Sequence, residues 1–335
     1  MADDWTTPGA YEVAPGVHRI PLPLPNDGLR AVNVYAVQVA EGFVLVDAGW
    51  SIPAAKELLA NALGTLGAGL TDIRRFLVTH VHRDHYTQAV ALRQEFGTPV
   101  SLGIGEKPTL DILQEPGRGP LRHQVAHLRL MGATALADGV EKWSQKGPEQ
   151  PSLWESPDDW LCAGELTLDG GRVLEVVETP GHTQGHVVFH DSAAGLLFAG
   201  DHVLPTITPS IGFEPALSAD PLGAFLRSLA LVRSRPDALL LPAHGAVAPS
   251  VHARVDELVA HHGRRLDQAE AAAADGKNAL EAANILTWTR HERTFAELDA
   301  FNQMLAVSET GAHLDLLVAQ GRLTRQEIDG VRQYC

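Results

Sequence analysis

The stretch Thr79–His85, THVHRDH, places three histidines and one aspartate within six residues, directly after a short apolar run. His80 and His82 stand two positions apart, so on an extended chain their side chains point to the same side. Asp84 and His85 follow where we expect the chain to turn into the next helix. One metal ion can therefore take the first pair of side chains and a second ion the other pair. Imidazole nitrogen and carboxylate oxygen are the donors that zinc prefers where no thiolate is used.

Three further ligand candidates stand at predicted strand ends beside a glycine, which lets the backbone come close to a metal or a ligand. His182 lies in the turn TPGHTQGH, Asp201 follows a glycine, and His244 precedes one. Each of these residues alone would more often be an ordinary turn residue. Taken with the first motif, they predict one binuclear metal site. The predicted metal ligands are His80, His82, Asp84, His85, His182, Asp201 and His244.

Composition predicts a folded, acidic and soluble protein. Of the 335 residues, 45% are hydrophobic, which is ordinary for a globular chain, so disorder is not expected. A formal net charge of −15 disfavours binding to nucleic acid and to acidic membranes. No apolar run approaches the ~18 residues that a membrane span needs, and the N-terminus does not resemble a secretory signal. Two cysteines, Cys162 and Cys335, exclude a disulfide framework and suit a cytoplasmic location.

Short branched segments between turn signals predict strands, and segments rich in Ala and Leu predict helices. We expect an antiparallel meander over 17–47, alternating helix and strand up to 102, and strands again from 164, with a hairpin turn at 169–171. This order predicts two β-sheets packed face to face between helical layers.

The expected domain organisation is a main domain followed by a C-terminal helical region. Residues 1–250 form the main domain, and residues 106–160 form a helical cap insertion within it that shows no clear strand. Residues 251–335 form the helical region, which ends in a small helical or winged-helix-like appendage with two short helices.

The ordered motifs HxHxDH, GHTxGH, Gly-Asp and a late His-Gly resemble the metallo-β-lactamase superfamily, and within it a glyoxalase II-like or lactamase-β-like branch. The resemblance covers about residues 17–250 and implies an α/β fold, an αββα sandwich with the metals at one edge of the two sheets. Aspartate at position 201, as in the thioesterase, lactonase, phosphodiesterase and nuclease branches, disfavours cleavage of β-lactams. The resemblance assigns His80, His82 and His182 to the first metal, Asp84, His85 and His244 to the second, and Asp201 to both as a bridge.

This ligand set implies hydrolysis by two divalent ions, zinc by default with iron or manganese as alternatives. Such ions lie ~3.5–4 Å apart and share a hydroxide that attacks the substrate. Asp84, Asp201 and the hydroxide neutralise about three of the four positive charges, which favours a transition state that gathers negative charge on oxygen. Asp84 is the candidate that orients the hydroxide, and His202 is a candidate proton shuttle.

The first hypothesis for the reaction is hydrolysis of an ester-like acyl bond, a thioester or a lactone, in a small molecule. An endoribonuclease or phosphodiesterase is the alternative, because Arg83 within the motif and the helical tail resemble the lactamase-like endoribonucleases. The cap segment Gly117–Leu130 also holds Arg118, Arg122 and Arg129, which could form a short basic strip. A further alternative is a mono-iron enzyme similar to persulfide dioxygenases. Nucleic acid and membrane partners are not expected, whereas the C-terminal region could support a homodimer. Trp143 and Trp154 of the cap are expected to form an apolar wall for the substrate.

The other histidines and Arg83 are assigned simpler roles. His186 is expected to be structural. His123 and His127 form an i,i+4 pair at the cap surface or in a substrate wall, without the glutamate that a metalloprotease helix needs. The pair His261–His262 is expected to be solvated. Arg83 is expected to point away from the metals and to form an ion pair.

Overall fold

In the computed structural model, the first β-sheet contains seven strands that follow one another in chain order. The first four strands pair antiparallel, and from the fourth onward the strands pair in parallel. The predicted antiparallel meander over 17–47 is confirmed. The strands are β1 (Tyr11–Ala14), β2 (Val17–Pro23), β3 (Ala31–Gln38), β4 (Phe43–Val46), β5 (Ile73–Val78), β6 (Val100–Gly103) and β7 (Asp159–Leu161).

The second sheet contains five strands, of which the first four in the chain form an antiparallel series. The last strand pairs in parallel with its neighbour after a helical connection. The predicted turn at 169–171 joins the first two strands, as the Asp-Gly-Gly sequence indicated. The strands are β8 (Gly164–Thr167), β9 (Val173–Glu178), β10 (Val187–Asp191), β11 (Leu196–Gly200) and β12 (Leu239–Pro242).

Side chains of both sheets meet in one buried cluster, in which Tyr35 of β3 and Phe198 of β11 pack edge to face with ring centroids 5.5 Å apart. The alternate β3 residues Val34 and Ala36 join a second cluster with residues of the two helices that follow β4 and β5. Successive strand residues point to opposite faces, so β3 is buried on both. Each large side chain buried in this way contributes about 1.5–3 kcal/mol to folding. The predicted face-to-face packing of the sheets is confirmed.

Nine α-helices occur within the described part of the chain, and none of them is both long and apolar enough to cross a membrane. Three of these helices lie within the segment 106–160, where the sequence predicted helical structure. The helices are α1 (Pro53–Thr65), α2 (Arg83–Phe96), α3 (Lys107–Leu113), α4 (Arg122–Leu130), α5 (Thr134–Ser144), α6 (Pro221–Arg233), α7 (Val251–Ala273), α8 (Ala279–Ile285) and α9 (Ala300–Ala319).

The chain divides into two compact units, here called the sheet unit and the helical unit. The predicted domain boundaries at 250 and at 106–160 stay a prediction. The structure describes residues 4–25, 27–115, 121–144, 151–289 and 291–335, without the side chains of Trp143 and Pro151. The sheet unit comprises Met1–Gln114, Gln150–Pro209 and Ser228–Val255, and the helical unit comprises Glu115–Glu149, Ser210–Arg227 and Asp256–Cys335.

Short strands correct the prediction in three places. The end of the chain forms a hairpin of β13 (Arg325–Ile328) and β14 (Val331–Tyr334), where two short helices were expected. Its turn, 329–330, has φ angles of 50° and 76°, the double positive φ that an Asp-Gly pair adopts in a two-residue hairpin turn. Both strands consist largely of polar residues, and β13 is exposed, so they lack the apolar alternation that predicts strands. Strands β1 and β7 were also missed, because four and three residues that are mostly not buried show no such pattern.

The expectation that His261–His262 is solvated is wrong for His262, which is fully buried. Its ring lies against Phe225 and His313, with centroids 5.5 and 5.3 Å away. Burial and the neighbouring His313 lower the pKa of His262 to about 2, so its ring is neutral. His261, His262 and Glu309 have potential ligand atoms within 4.8 Å of one another. Burial raises the pKa of Glu309, although the charge of Arg265 opposes the rise. The same positive charge opposes a further cation at this cluster.

The turn between β9 and β10 packs on the end of β6 through three glycines of the sheet unit. A Cβ atom added to Gly185 would lie 2.0 Å from the Glu106 backbone nitrogen, and one added to Gly103 would lie 2.2 Å from the Gly185 carbonyl oxygen. A Cβ added to Gly105 would lie 2.7 Å from the Gly185 Cα. The two backbones can therefore approach this closely only without side chains.

We predict that Gly185→Ala lowers the free energy of unfolding by about 1–3 kcal/mol, since the added methyl group forces two backbones apart. Gly64→Ala is the matched control, because Gly64 lies in α1 and a Cβ there meets no atom within 4 Å. The control should be neutral, or more stable by up to ~1 kcal/mol, since alanine favours the helix. Urea denaturation of the metal-loaded proteins measures both. Equal stability of the two variants would show that the glycine contact does not constrain the fold.

Candidate metal centre

The motif Thr79–His85 lies where a buried strand gives way to a helix, as its sequence indicated. Strand β5 ends at Val78, and α2 begins at Arg83. His80 and His82 lie in the connection, so Asp84 falls in the first turn of α2. The partial positive charge of a helix N-terminus favours a carboxylate at that position.

The other ligand candidates follow strands of the second sheet. His182 lies in the turn between β9 and β10, Asp201 comes directly after β11, and His244 comes shortly after β12. Gly200, with a φ of 50°, permits the close approach that Asp201 requires, since a Cβ there would lie 2.7 Å from the Thr79 side chain and from His186 Nε2. All seven candidates belong to the sheet unit.

His80, His82, His182 and Asp201 form the first group of possible ligands. His82 Nδ1 lies 3.0 Å from His80 Nε2 and 3.1 Å from His182 Nε2. Asp201 Oδ2 lies 3.5 Å from His182 Nε2 and 3.9 Å from His80 Nε2. Ligand atoms bound at ~2.0–2.1 Å around a tetrahedral zinc lie roughly 3.3 Å apart, so these separations fit one ion.

Asp84, His85 and His244 form the second group. Asp84 Oδ2 lies 3.4 Å from His244 Nε2 and 3.6 Å from His85 Nε2. Asp201 Oδ1, the oxygen that does not face the first group, lies 3.4 Å from His244 Nε2 and 3.8 Å from His85 Nε2. The two oxygens of Asp201 are thus divided between the two groups.

Several of these ligand atoms lack a hydrogen-bond partner within the described chain. His85 Nε2, His244 Nε2 and Asp201 Oδ1 are all buried and unpaired. A buried polar atom without a partner is costly, and native proteins rarely leave one. Three such atoms facing one another, with carboxylate and imidazole chemistry, fit divalent metal ions. The residues therefore suit a metal site, although they do not identify the metal.

The pKa values of His82 in the first group and His85 in the second are shifted in opposite directions. In the first group, burial and the neighbouring His182 lower the pKa of His82 to about 3, which leaves the neutral imidazole that binds metals. In the second group, burial lowers the pKa of His85, but Asp47, Asp84 and Asp201 together raise it to about 10. This excess of negative charge around His85 is what a divalent cation would balance.

Asp47 is a buried residue of the site that the sequence analysis missed. Its Oδ2 accepts a hydrogen bond from His85 Nδ1 at 2.9 Å, and its Oδ1 accepts one from the Thr79 backbone at 2.8 Å. The Thr79 hydroxyl donates to both carboxylate oxygens, at 3.0 and 3.1 Å. Asp47 therefore fixes the ring of His85 with Nε2 facing Asp84 and Asp201, and it fixes the backbone just before His80.

In two other histidine ligands, hydrogen bonds to Nδ1 likewise fix the orientation of the ring. His80 Nδ1 lies 3.1 Å from the Thr79 hydroxyl, and His244 Nδ1 donates to the Ala31 carbonyl at 2.8 Å. Asn33 of β3 was also missed. Its side chain donates to the carbonyls of Pro242 and Gly245, at 2.9 and 2.8 Å, and so holds the backbone on both sides of His244.

The structure gives His186 and His202 different surroundings. The Asp201 backbone donates to His186 Nε2 at 3.2 Å, and His186 Nδ1 lies 2.8 Å from the Thr179 hydroxyl, which fits the expected structural role. His202 is fully buried, with its ring centroid 6.0 Å from that of His186. Burial lowers the pKa of His202 to about 3, against a hydrogen bond to the Ser228 backbone. Its imidazole is therefore neutral near pH 7, and the shuttle role stays a prediction.

Glu106 is a second buried carboxyl that the sequence analysis missed. The Thr183 hydroxyl, next to His182, donates to Glu106 Oε1, and the Val81 backbone also bonds this side chain. Burial raises the pKa of Glu106 to about 7, while these two hydrogen bonds oppose the rise. Glu106 thus connects the turn that carries His182 with the motif that carries the other ligands. A lone glutamate before a helix gave no signal in the sequence.

The predictions for Arg83 and for the cap tryptophans have different outcomes. Arg83 lies over the Trp50 ring at 4.4 Å and 3.5 Å from an Asp27 carboxylate oxygen, so the predicted ion pair is confirmed. Trp154 packs against the buried cluster of the first sheet and its helices. Its role as a substrate wall stays a prediction, and the Trp143 side chain lies outside the described part of the chain.

Comparisons with known sequences agree with one another on the protein family. A sequence model of the metallo-β-lactamase superfamily matches residues 27–244. The probable metallo-hydrolase YqjP of Bacillus subtilis is 25% identical over 321 residues, which cover 91% of this chain and 92% of that protein. The atrochrysone carboxyl ACP thioesterase of Aspergillus fumigatus is 23% identical over 244 residues, which cover 73% of this chain and 44% of that enzyme.

Solved structures extend the similarity to the whole chain. A β-lactamase domain protein from Burkholderia ambifaria matches with a TM-score of 0.83 and 28% identity, over 100% of this chain and 96% of the other. A metallo-β-lactamase family protein from Thermus thermophilus matches with a TM-score of 0.78 and 28% identity, over 96% and 99% of the two chains. The similarity therefore includes the C-terminal helical region as well as the sheets.

We predict that Asp47→Asn weakens metal binding about 10–100-fold, the usual cost of losing a carboxylate behind a histidine ligand. Asparagine tolerates the positive φ of 61° at this position, so the backbone should be kept. Zinc affinity is measured by competition with a chromophoric chelator. Asp111→Asn, which removes an exposed carboxylate paired with Lys107, is the control and should bind zinc as the wild type does. Unchanged affinity in Asp47→Asn would show that Asp47 does not support the site.

Proposed function

This chain is a hydrolase of the metallo-β-lactamase superfamily, and we propose that it uses two zinc ions to cleave an ester-like acyl bond, a thioester or a lactone, in a small molecule. The observation that carries the proposal is the division of the Asp201 oxygens between two ligand groups, at 3.4–3.9 Å from four imidazole nitrogens. A single zinc ion needs four ligands, whereas seven side chains converge here. This arrangement argues against the mono-iron alternative.

In the proposed reaction, two bound divalent ions would lower the pKa of water to make a nucleophile and would polarise the carbonyl of the substrate. His80, His82 and His182 would hold one ion, and Asp84, His85 and His244 would hold the other. Asp84 would also accept a hydrogen bond from the attacking water and so orient it. Asp201 would contribute one carboxylate oxygen to each of the two groups of ligands.

The acyl substrate is favoured over RNA by charge. A nuclease must neutralise several phosphates with Lys or Arg, but this chain has a formal net charge of −15. Among the three arginines of the cap segment Gly117–Leu130, Arg129 pairs with Asp138 and Glu141 at 2.8 and 2.9 Å. Arg122 lies 3.9 Å from Glu115, and Arg118 lies outside the described residues. The thioesterase among the relatives supports the thioester branch of the proposal.

The proposed setting is the cytoplasm. The two cysteines, Cys162 and Cys335, are both exposed and unpaired. A reducing compartment keeps exposed thiols in this state. We also propose that the chain forms a homodimer, which a measurement of its molecular mass in solution tests.

We predict two metal ions per chain in protein purified without chelators, and about 100-fold or greater loss of kcat/KM in Asp201→Asn, since a neutral amide replaces the bridging charge. Elemental analysis and turnover measure these two quantities. Asp191→Asn is the matched control, because Asp191 is also buried but lies at the far end of β10, and it should keep its activity. One iron per chain with oxygen-dependent activity, or full turnover and metal content in Asp201→Asn, would contradict the binuclear hydrolase.

We expect metal-replete protein to hydrolyse members of a panel of acyl thioesters and lactones, and to leave single-stranded RNA and cephalosporins intact. Activity should be lost in His82→Ala, which removes a ligand of the first group. The panel is run at low salt, where RNA binding is strongest. Cleavage of RNA that depends on His82, with no turnover of any acyl compound, would reverse the order of the two hypotheses.

A further inference from the structure

A cavity of about 510 Å³ lies within the helical unit, formed by α4, the loop 212–221, α9 and the C-terminal hairpin. Helix α4 contributes residues at positions i, i+3, i+4 and i+7 from His123, which is one continuous helix face. The volume is within the range of ~300–1,000 Å³ that is typical of small-molecule sites. The cavity is lined by His123 and His127, for which the sequence suggested the cap surface or a substrate wall, but the proposed hydrolysis uses only residues of the sheet unit.

An ion cluster with an excess positive charge lines one side of the cavity. Arg325 and Arg332 of the hairpin each donate to Asp315 of α9, at 2.7 and 2.8 Å, and the Tyr334 hydroxyl donates to Asp315 at 3.0 Å. Two guanidinium groups and one carboxylate leave a net charge of about +1. Each guanidinium has five N–H donors, and the bond to Asp315 occupies one nitrogen of each. The cluster therefore retains donors for an anion.

Two histidines of α4 add neutral polar atoms to the wall. Burial and the nearby Arg332 lower the pKa of His127 to about 4, so its ring carries no charge near pH 7. His123 Nε2 is buried and has no hydrogen-bond partner within the described chain. Because His123 also lines the cavity, its unpaired nitrogen is a candidate partner for a ligand.

Most of the remaining wall is apolar, with Ala126, Leu130, Leu217 and Ala312 among the lining residues, while Ser218 and Ser308 add hydroxyl groups. We propose that this cavity binds a small amphipathic carboxylate, whose charged end contacts Arg325 and Arg332 and whose apolar part contacts the aliphatic wall. Arginine and carboxylate form short, charge-assisted hydrogen bonds, often in pairs. The net charge of about +1 matches a monoanion better than a phosphate dianion or a polyphosphate. The site does not rest on the proposed hydrolysis, since all its residues belong to the helical unit.

The test measures binding of octanoate to the metal-loaded full chain by isothermal titration calorimetry. Octanamide serves as the uncharged equivalent and octyl phosphate as the dianion. Octanoate should bind, and about ten-fold or more tighter than either, since a charge-assisted pair is lost in the amide. Arg325→Gln should weaken octanoate binding by about ten-fold, while Arg322→Gln should not change it. Arg322 is the matched control, because it belongs to the same unit and pairs with Asp267 and Glu270 away from the cavity wall.

Two further variants test the apolar wall and the independence of the cavity from the metal centre. Ala126→Phe enlarges an apolar residue of the cavity wall and leaves the three charged side chains unchanged, and it should abolish binding because the apolar wall holds the chain of the ligand. His82→Ala disturbs the metal centre and should leave octanoate binding unchanged. The proposal is overturned if the wild type does not bind octanoate, if binding survives both Arg325→Gln and Ala126→Phe, or if it is lost in His82→Ala. Tighter binding of octyl phosphate than of octanoate overturns the carboxylate assignment.

Discussion

The Asp201 carboxylate faces two groups of imidazoles with its two oxygens, and the sheet unit is arranged so that this contact can form. The first sheet supplies the ligands of the motif Thr79–His85, and the second sheet supplies His182, Asp201 and His244. These ligands converge only when the two sheets are packed, with Tyr35 against Phe198 between them. The packing of the hydrophobic core and the binding of metal ions therefore depend on each other. The packed sheets bury ligand atoms that have no hydrogen-bond partner, and such burial is tolerable only where metal ions bind these atoms.

The ligand candidates could be predicted from the sequence because each is marked by local features. Four lie within one dense motif, and the other three stand beside glycines at strand ends. Asp47 and Glu106 could not be predicted in this way. Asp47 acts on His85, 38 residues later, and Glu106 acts on Thr183, 77 residues later, so neither carries a pattern near itself. Residues that orient ligands depend on the tertiary structure, whereas the ligands depend on chemistry that the sequence displays.

The fold could be predicted where periodicity was strong. Strands such as β3 and helices such as α1 and α2 have enough residues for a period to emerge, and the face-to-face sheets followed from their order. Prediction failed at β7, which has three residues, and at the hairpin of β13 and β14, whose strands carry polar residues. It also failed at His262, because a histidine in a polar helix segment gives no sign that another element covers it.

Gly103, Gly105 and Gly185 bring two backbones into direct contact beside the turn that carries His182. In most tightly packed contacts, substitution by a larger residue on one side can be compensated by a smaller residue on the other side. Such compensation is not possible here, since all three positions already hold the smallest amino acid. Any enlargement must be accommodated by moving the backbone, and the movement would carry His182 with it. The substitutions that these three positions tolerate are thus limited by side-chain size, whatever substrate the enzyme acts on.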